Sequence, residues 1–154
     1  MKIIYMHHAE RDIDNNIPTN SDGITKRGTN QAEVLAEKMK DINIDLIVSS
    51  EYKRCLDTAN IINKYHNVDI ILDSGFNEKE KDEEYKKFLE RNIKSLKMLY
   101  KKYSNKTILC VTSGVNLGAF ICYFYNIKPT NKTPWAQAID LSPINFVKGS
   151  GELD

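Results

Sequence analysis

The chain has 154 residues, a length that fits one domain able to bury its own core. Hydrophobic residues make up 41% and charged residues 28%, the composition of an ordinary globular protein. Lys and Arg total 22 against 21 Asp and Glu; a formal charge of +1 argues against a nucleic-acid partner held by bulk electrostatics, while leaving room for a local cationic pocket.

Met1 to Met6 is too short an apolar run for a signal peptide, and no stretch approaches the ~20 apolar residues of a membrane span. The expectation is a cytoplasmic protein with no membrane partner. Cys55, Cys110 and Cys122 are sparse and odd in number, with no CxxC pair. They read as buried thiols, not as a disulfide framework or a zinc site.

Ile3 to Met6 predicts a strand buried on both faces. Residues 11–27 are polar and read as a loop. From Thr29 to Lys40 the apolar residues Ala32, Leu35, Ala36 and Met39 recur at helical spacing. Asp45 to Val48 predicts a second buried strand, after which Ser50 is placed to cap a helix from Glu51 to about Tyr65. Ile70 to Leu72 is a third strand and Gly75 to Lys81 a charged loop. Asp82 to Tyr103 predicts a long amphipathic helix, with Tyr85, Phe88, Leu89, Leu96, Leu99 and Tyr103 inward and lysines on a solvated face. Thr107 to Thr112 is a fourth strand, and Val115 to Tyr125 an apolar helix. Pro129 and Pro134 break the chain before a last strand pair around Ala138–Leu141 and Ile144–Val147. The domain spans residues 1–148, followed by a flexible tail at 149–154.

Strands alternating with helices imply an α/β fold: a three-layer sandwich with a mostly parallel central sheet and helices on both faces. Ligands of such sheets sit at the carboxyl ends of the strands. Three polar sets fall there: His7-His8, Ser49-Ser50 and Thr112-Ser113-Gly114. A histidine just past a buried strand is held rigidly, and its unperturbed pKa of about 6.5 leaves a ring nitrogen free to attack phosphorus at neutral pH. Arg54, in the first turn of the second helix, suits a phosphate.

Three motifs join these residues. His7-His8-Ala9-Glu10 follows the first strand; Ile24-Thr25-Lys26-Arg27-Gly28-Thr29-Asn30-Gln31-Ala32 runs from the end of the expected loop into the first helix; Ser49-Ser50-Glu51-Tyr52-Lys53-Arg54-Cys55-Leu56-Asp57-Thr58-Ala59 follows the second strand. In order and interval they resemble the Arg-His-Gly/Ala-Glu, Leu-Thr-x-x-Gly-x-x-Gln-Ala and Ser-Ser/Pro-x-x-x-Arg-x-x-x-Thr-Ala elements of the histidine phosphatase (phosphoglycerate mutase-like) superfamily. Short length and the His-Ala-Glu version look most like its compact phosphohistidine-phosphatase branch.

The resemblance implies that His8 is the nucleophile and forms a phosphohistidine, and that Arg54 holds the phosphoryl oxygens. It further implies that an acid after the third strand protonates the leaving group. Glu78, in Phe76-Asn77-Glu78, is the candidate, with Glu80 in reserve. The family's arginine before the nucleophile is His7 here, and the histidine of its late Ser/Thr-His-Gly motif is Ser113. Arg11, three residues past His8, is a candidate replacement cation. Phosphate binding is thus assigned to His7, Arg54, Ser113 and Arg11. No cofactor and no metal are implied, and the partner is a small phosphorylated molecule or a phosphoprotein.

Other chemistries fit less well. Ser113 lacks a nucleophile elbow, because Val111 and Val115 stand at the glycine positions. His7, His8 and Glu10 have no metal-ligand spacing. A mutase would need a fuller cationic pocket. Two readings stay open: a phosphatase acting through phospho-His8, and a non-catalytic relative that binds a phosphorylated ligand or a protein in the altered cleft.

Overall fold

The computed structural model describes residues 1–13, 16–125 and 138–140. Its elements run β1 (Lys2–His7), α1 (Lys26–Met39), β2 (Leu46–Ser49), α2 (Lys53–Asn63), β3 (Ile70–Leu72), a 3-10 turn (Ser74–Phe76), α3 (Tyr85–Lys102), β4 (Thr107–Thr112), α4 (Gly114–Tyr125) and β5 (Ala138–Asp140). The sheet order is β3-β2-β4-β1-β5. The first four strands are mutually parallel, and β5 pairs antiparallel with β1.

Strand alternation splits the core in two. Ile3, Tyr5, Val48, Ile108 and Cys110 face one way and pack with Leu96 and Leu99 of α3 and Leu117 and Phe120 of α4. Ile4, Met6, Ile47, Leu109 and Val111 face the other way, against Ala36 and Met39 of α1 and Cys55, Ala59 and Ile62 of α2. With both faces covered, the central strands carry continuous apolar runs, as the sequence predicts. The chain leaves β1 and β2 towards one face and β4 towards the other. A crevice therefore opens at the carboxyl end of β4, between its neighbours.

Helix starts differ from their sequence expectations. Helix α1 begins at Lys26, inside the presumed loop, because Thr25 caps it: the Gly28 N–H donates to Thr25 Oγ1 at 2.9 Å. Ser50 does not cap α2. Tyr52 is the capping residue and makes no side-chain cap bond. The Ser50 hydroxyl donates to Asn77 Oδ1 at 2.9 Å and accepts from the Tyr52 N–H at 3.3 Å. Helix α3 begins at Tyr85, and that tyrosine is exposed rather than inward. The second member of the expected last strand pair and the expected tail lie outside the described residues.

Cys55 and Cys110 are buried thiols, Cys122 is half-buried, and all three are free. Burial pushes the Cys55 thiol up to about 12, so it is inert at neutral pH. Among the described residues, no helix is long and apolar enough to cross a membrane.

Candidate active site

The three polar strand ends meet at the crevice. The His8 N–H donates to the Thr112 carbonyl at 2.8 Å, and the Ser50 N–H to the Val111 carbonyl at 3.0 Å, which ties the ends of β1 and β2 to β4. His8 is only 2% exposed. Its Nδ1 lies 2.8 Å from the Ala9 carbonyl oxygen. A carbonyl can only accept, so Nδ1 carries the proton and Nε2 keeps its lone pair. Burial, then the charge of His7, then Arg54 and Arg11 lower the His8 pKa from 6.5 to about 3. The imidazole is neutral at any physiological pH.

Motif residues distant in sequence clamp this histidine in place. The Ala9 N–H donates to Thr58 Oγ1 at 3.0 Å, and Thr58 Oγ1 donates to the Arg54 carbonyl at 2.8 Å. Thr58 thus couples the residue after His8 to the first turn of α2. The Glu10 N–H donates to Gln31 Oε1 at 3.0 Å, and Thr25 Oγ1 donates to Glu10 Oε1 at 2.8 Å. Arg27 completes the grip on the Glu10 carboxylate. Glu10 is thereby committed to α1, and among the described residues no group of three His, Cys, Asp or Glu is placed to hold a metal.

Gly28 lets α1 approach this close. A Cβ there would lie 2.6 Å from the Glu10 carbonyl oxygen, a backbone atom that cannot step aside. Gly28→Ala should therefore lower stability by roughly 1–3 kcal/mol, although alanine is the better helix former by about 1 kcal/mol. Urea denaturation checks this; an unchanged midpoint would mean the contact is soft.

Arg54 is 1% exposed, the largest of the fully buried side chains. Its Nη2 donates to Glu78 Oε2 at 2.7 Å. Its Nε and Nη1 have no hydrogen-bond partner among the described residues. The guanidinium also lies over the Tyr52 ring, 4.8 Å from its centroid. Leaving charged donors buried and unpaired costs roughly 1–3 kcal/mol each, so such a group persists where a ligand completes it.

The remaining candidates are placed as follows. His7 packs edge-on to His8 with ring centroids 4.7 Å apart. Its ring lies over the start of α4, where a Cβ on Gly114 would come within 2.9 Å of it. Arg11 is held at the rim: Nε donates to Asp22 Oδ2 at 2.8 Å and Nη2 to the Thr19 carbonyl at 2.7 Å. Its charge still reaches His8, as the lowered pKa records. Ser113 is 2% exposed, and its hydroxyl donates to Asn116 Oδ1 at 2.6 Å while accepting from the Asn116 N–H at 3.3 Å. It serves as the cap of α4, so its proton is spent inside the protein. Glu80, the reserve acid, accepts from Asn20 Nδ2 at 3.3 Å and from the Tyr52 hydroxyl. Sequence reasoning missed Thr58, Asn77, Arg91 and Asn116. Thr58 alone stood in a motif; the others sit among ordinary loop and helix residues.

Fold and strand-end geometry define an α/β protein of the phosphoglycerate mutase-like fold. Residues 8–81 match the model of the histidine phosphatase superfamily (branch 1). The 2,3-bisphosphoglycerate-dependent phosphoglycerate mutase of Thermoplasma acidophilum is 38% identical over 84 residues, a match covering 47% of this chain. The chain spans only 39% of that relative's length. Over the whole fold, a mycobacterial glucosyl-3-phosphoglycerate phosphatase solved with VO3 superposes with a TM-score of 0.75 at 15% identity, covering 92% of this chain and 90% of the other. Phosphoserine phosphatase of Entamoeba histolytica gives 0.70 at 24% identity, covering 89% and 88%. At these identities the superpositions establish the fold alone. The family match spans residues 8–81, and over that segment the chain is similar to the histidine phosphatase superfamily.

Proposed function

We propose that the protein hydrolyses phosphomonoesters or phosphohistidine through a covalent intermediate at His8. The observation that carries this reading is the buried Arg54 guanidinium, with two donor nitrogens unpaired among the described residues and a charge that reaches a neutral His8. His8 Nε2 attacks phosphorus while the bond to the leaving group breaks, and protonated Glu78 gives its proton to the departing atom. Water then attacks phospho-His8, Glu78 takes a proton from that water, the P–N bond breaks, and inorganic phosphate leaves. In the free protein Glu78 rests on Arg54. An arriving phosphoryl dianion takes over the guanidinium and frees the Glu78 carboxyl to face the leaving group. His7 and Arg11 supplement Arg54 around the phosphoryl oxygens.

A second reading is a non-catalytic phosphate binder. Its support is Ser113, whose hydroxyl is spent on Asn116 and so leaves the pocket one donor short. The assay that separates the two is p-nitrophenyl phosphate hydrolysis from pH 5 to 8. Turnover that falls at least about 10³-fold in His8→Ala is expected. Equal rates in both proteins, or no turnover with phosphate still protecting the fold, would favour the binder.

A further inference from the structure

We propose that Arg91 is the positioning residue of the acid step, holding the Ser74–Glu78 backbone so that Glu78 faces Arg54 and the phosphoryl group. The proposal rests on the phosphatase reading above and deepens it. Arg91 stands on α3 amid lysines, yet only its guanidinium turns back onto the loop that follows β3. Nη1 donates to the carbonyls of Ser74 at 3.2 Å, Gly75 at 2.9 Å and Asn77 at 2.8 Å. Nη2 donates to the Glu78 carbonyl at 3.2 Å. The carbonyl skipped in that series, Phe76, accepts from Thr112 Oγ1 at 2.6 Å and from Asn116 Nδ2 at 3.1 Å. Every carbonyl from Ser74 to Glu78 thus accepts a bond from a side chain on another element. A surface loop ordinarily leaves its carbonyls to water.

The guanidinium is itself fixed. Nε and Nη2 fork onto the Glu83 carboxylate at 2.7 and 2.9 Å, and the group lies over the Phe88 ring, 5.1 Å from its centroid. The bond to Arg91 is the main reason the Glu83 carboxyl is held below its ordinary range. A planar fork with five donors can serve a carboxylate and several carbonyls at once; a lysine ammonium cannot. Asn77 braces the same loop from the other side, accepting from the Ser50 hydroxyl and the Glu51 N–H, each at 2.9 Å. The acid is therefore carried on a short segment clamped to α3, α4, β4 and the turn before α2. Small displacements of a reacting group are costly, on the order of 10²-fold for about 1 Å.

The test compares leaving groups. p-Nitrophenolate departs without a proton, whereas an alkoxide needs one, so loss of the acid step slows β-glycerophosphate far more than p-nitrophenyl phosphate. Glu78→Gln sets the scale, with an expected gap on the order of 10²-fold between the two substrates. Arg91→Met is expected to open a gap in kcat of at least about tenfold in the same direction, with KM for p-nitrophenyl phosphate little changed. Arg91→Lys keeps the charge but not the fork and should open most of that gap, which carries the test if the methionine variant does not fold. Equal losses on both substrates, or an Arg91→Lys enzyme like the parent, would overturn the positioning role. No gap in Glu78→Gln, or no turnover by the parent, would overturn the acid assignment and the positioning role with it. A gap in Glu78→Gln with none in the Arg91 variants removes Arg91 alone.

Discussion

Replacing Arg54 with methionine is expected to lower kcat/KM by on the order of 10³-fold while leaving the fold as stable as before or more so. The two halves of this expectation come from one observation. A wholly buried guanidinium with one carboxylate partner and two donor nitrogens unpaired among the described residues is a poor stabiliser, since desolvation of the charge is only partly repaid. Methionine has similar length and no charge, and Glu78, left behind, is exposed enough to hydrate. What the substitution removes is the pair of N–H groups that would meet phosphoryl oxygens. Inorganic phosphate sharpens the test. A ligand at 100 times its Kd stabilises the folded state by about 2.7 kcal/mol, which raises Tm by roughly 5–10 °C for a domain of this size. The parent should show that rise and Arg54→Met should not. A variant that unfolds several degrees earlier and still gains stability from phosphate would make Arg54 structural.

The sheet was legible because strands covered on both faces need unbroken apolar runs, and Ile3–Met6, Asp45–Val48 and Thr107–Thr112 supply them. Helix ends were less legible because they are decided by single hydroxyls. Thr25 caps α1 from within a polar stretch that otherwise reads as loop. Ser50 looks like a cap in sequence, but Asn77, 27 positions further on, takes its hydroxyl. The resemblance to the superfamily was legible because the motif residues bond to one another: Glu10 to Thr25 and Gln31, and Thr58 to Ala9 and Arg54. Their spacing in the chain is fixed by a clamp that only the fold displays. Support for the Ser74–Glu78 loop was not legible at all. Arg91 has six lysines beside it along α3, five of them exposed and Lys97 half-buried, and nothing in its local sequence marks it as the one that turns inward. Asn116 is likewise a lone amide in an apolar helix, yet it joins Ser113, Asn92 and the Phe76 and Asn77 carbonyls.

Stability of the parent should climb between about pH 4.5 and 6.5, and His8→Ala should flatten part of that climb. The sign follows from proton counts. In the folded protein His8 titrates at about 3, chiefly because burial disfavours the imidazolium and secondly because His7 adds like charge. Unfolded, it titrates near its ordinary 6.5. Between those values the unfolded chain binds the extra proton, so acid favours unfolding, and the penalty vanishes above about 6.5. From pH 7 to pH 4.5 the difference amounts to roughly 2–3 kcal/mol. Carboxylates held low in the fold, such as Asp22 and Glu83, lose stability in the same direction as pH falls. They are common to parent and variant, so the difference between the two urea-denaturation series isolates His8. The kinetics should agree. If His8 is the nucleophile proposed above, its neutrality down to about pH 4 gives kcat/KM no acid limb of its own near 6.5; such a limb, or a parent and His8→Ala that lose stability in parallel, would place His8 in water rather than in the crevice between β1 and β4.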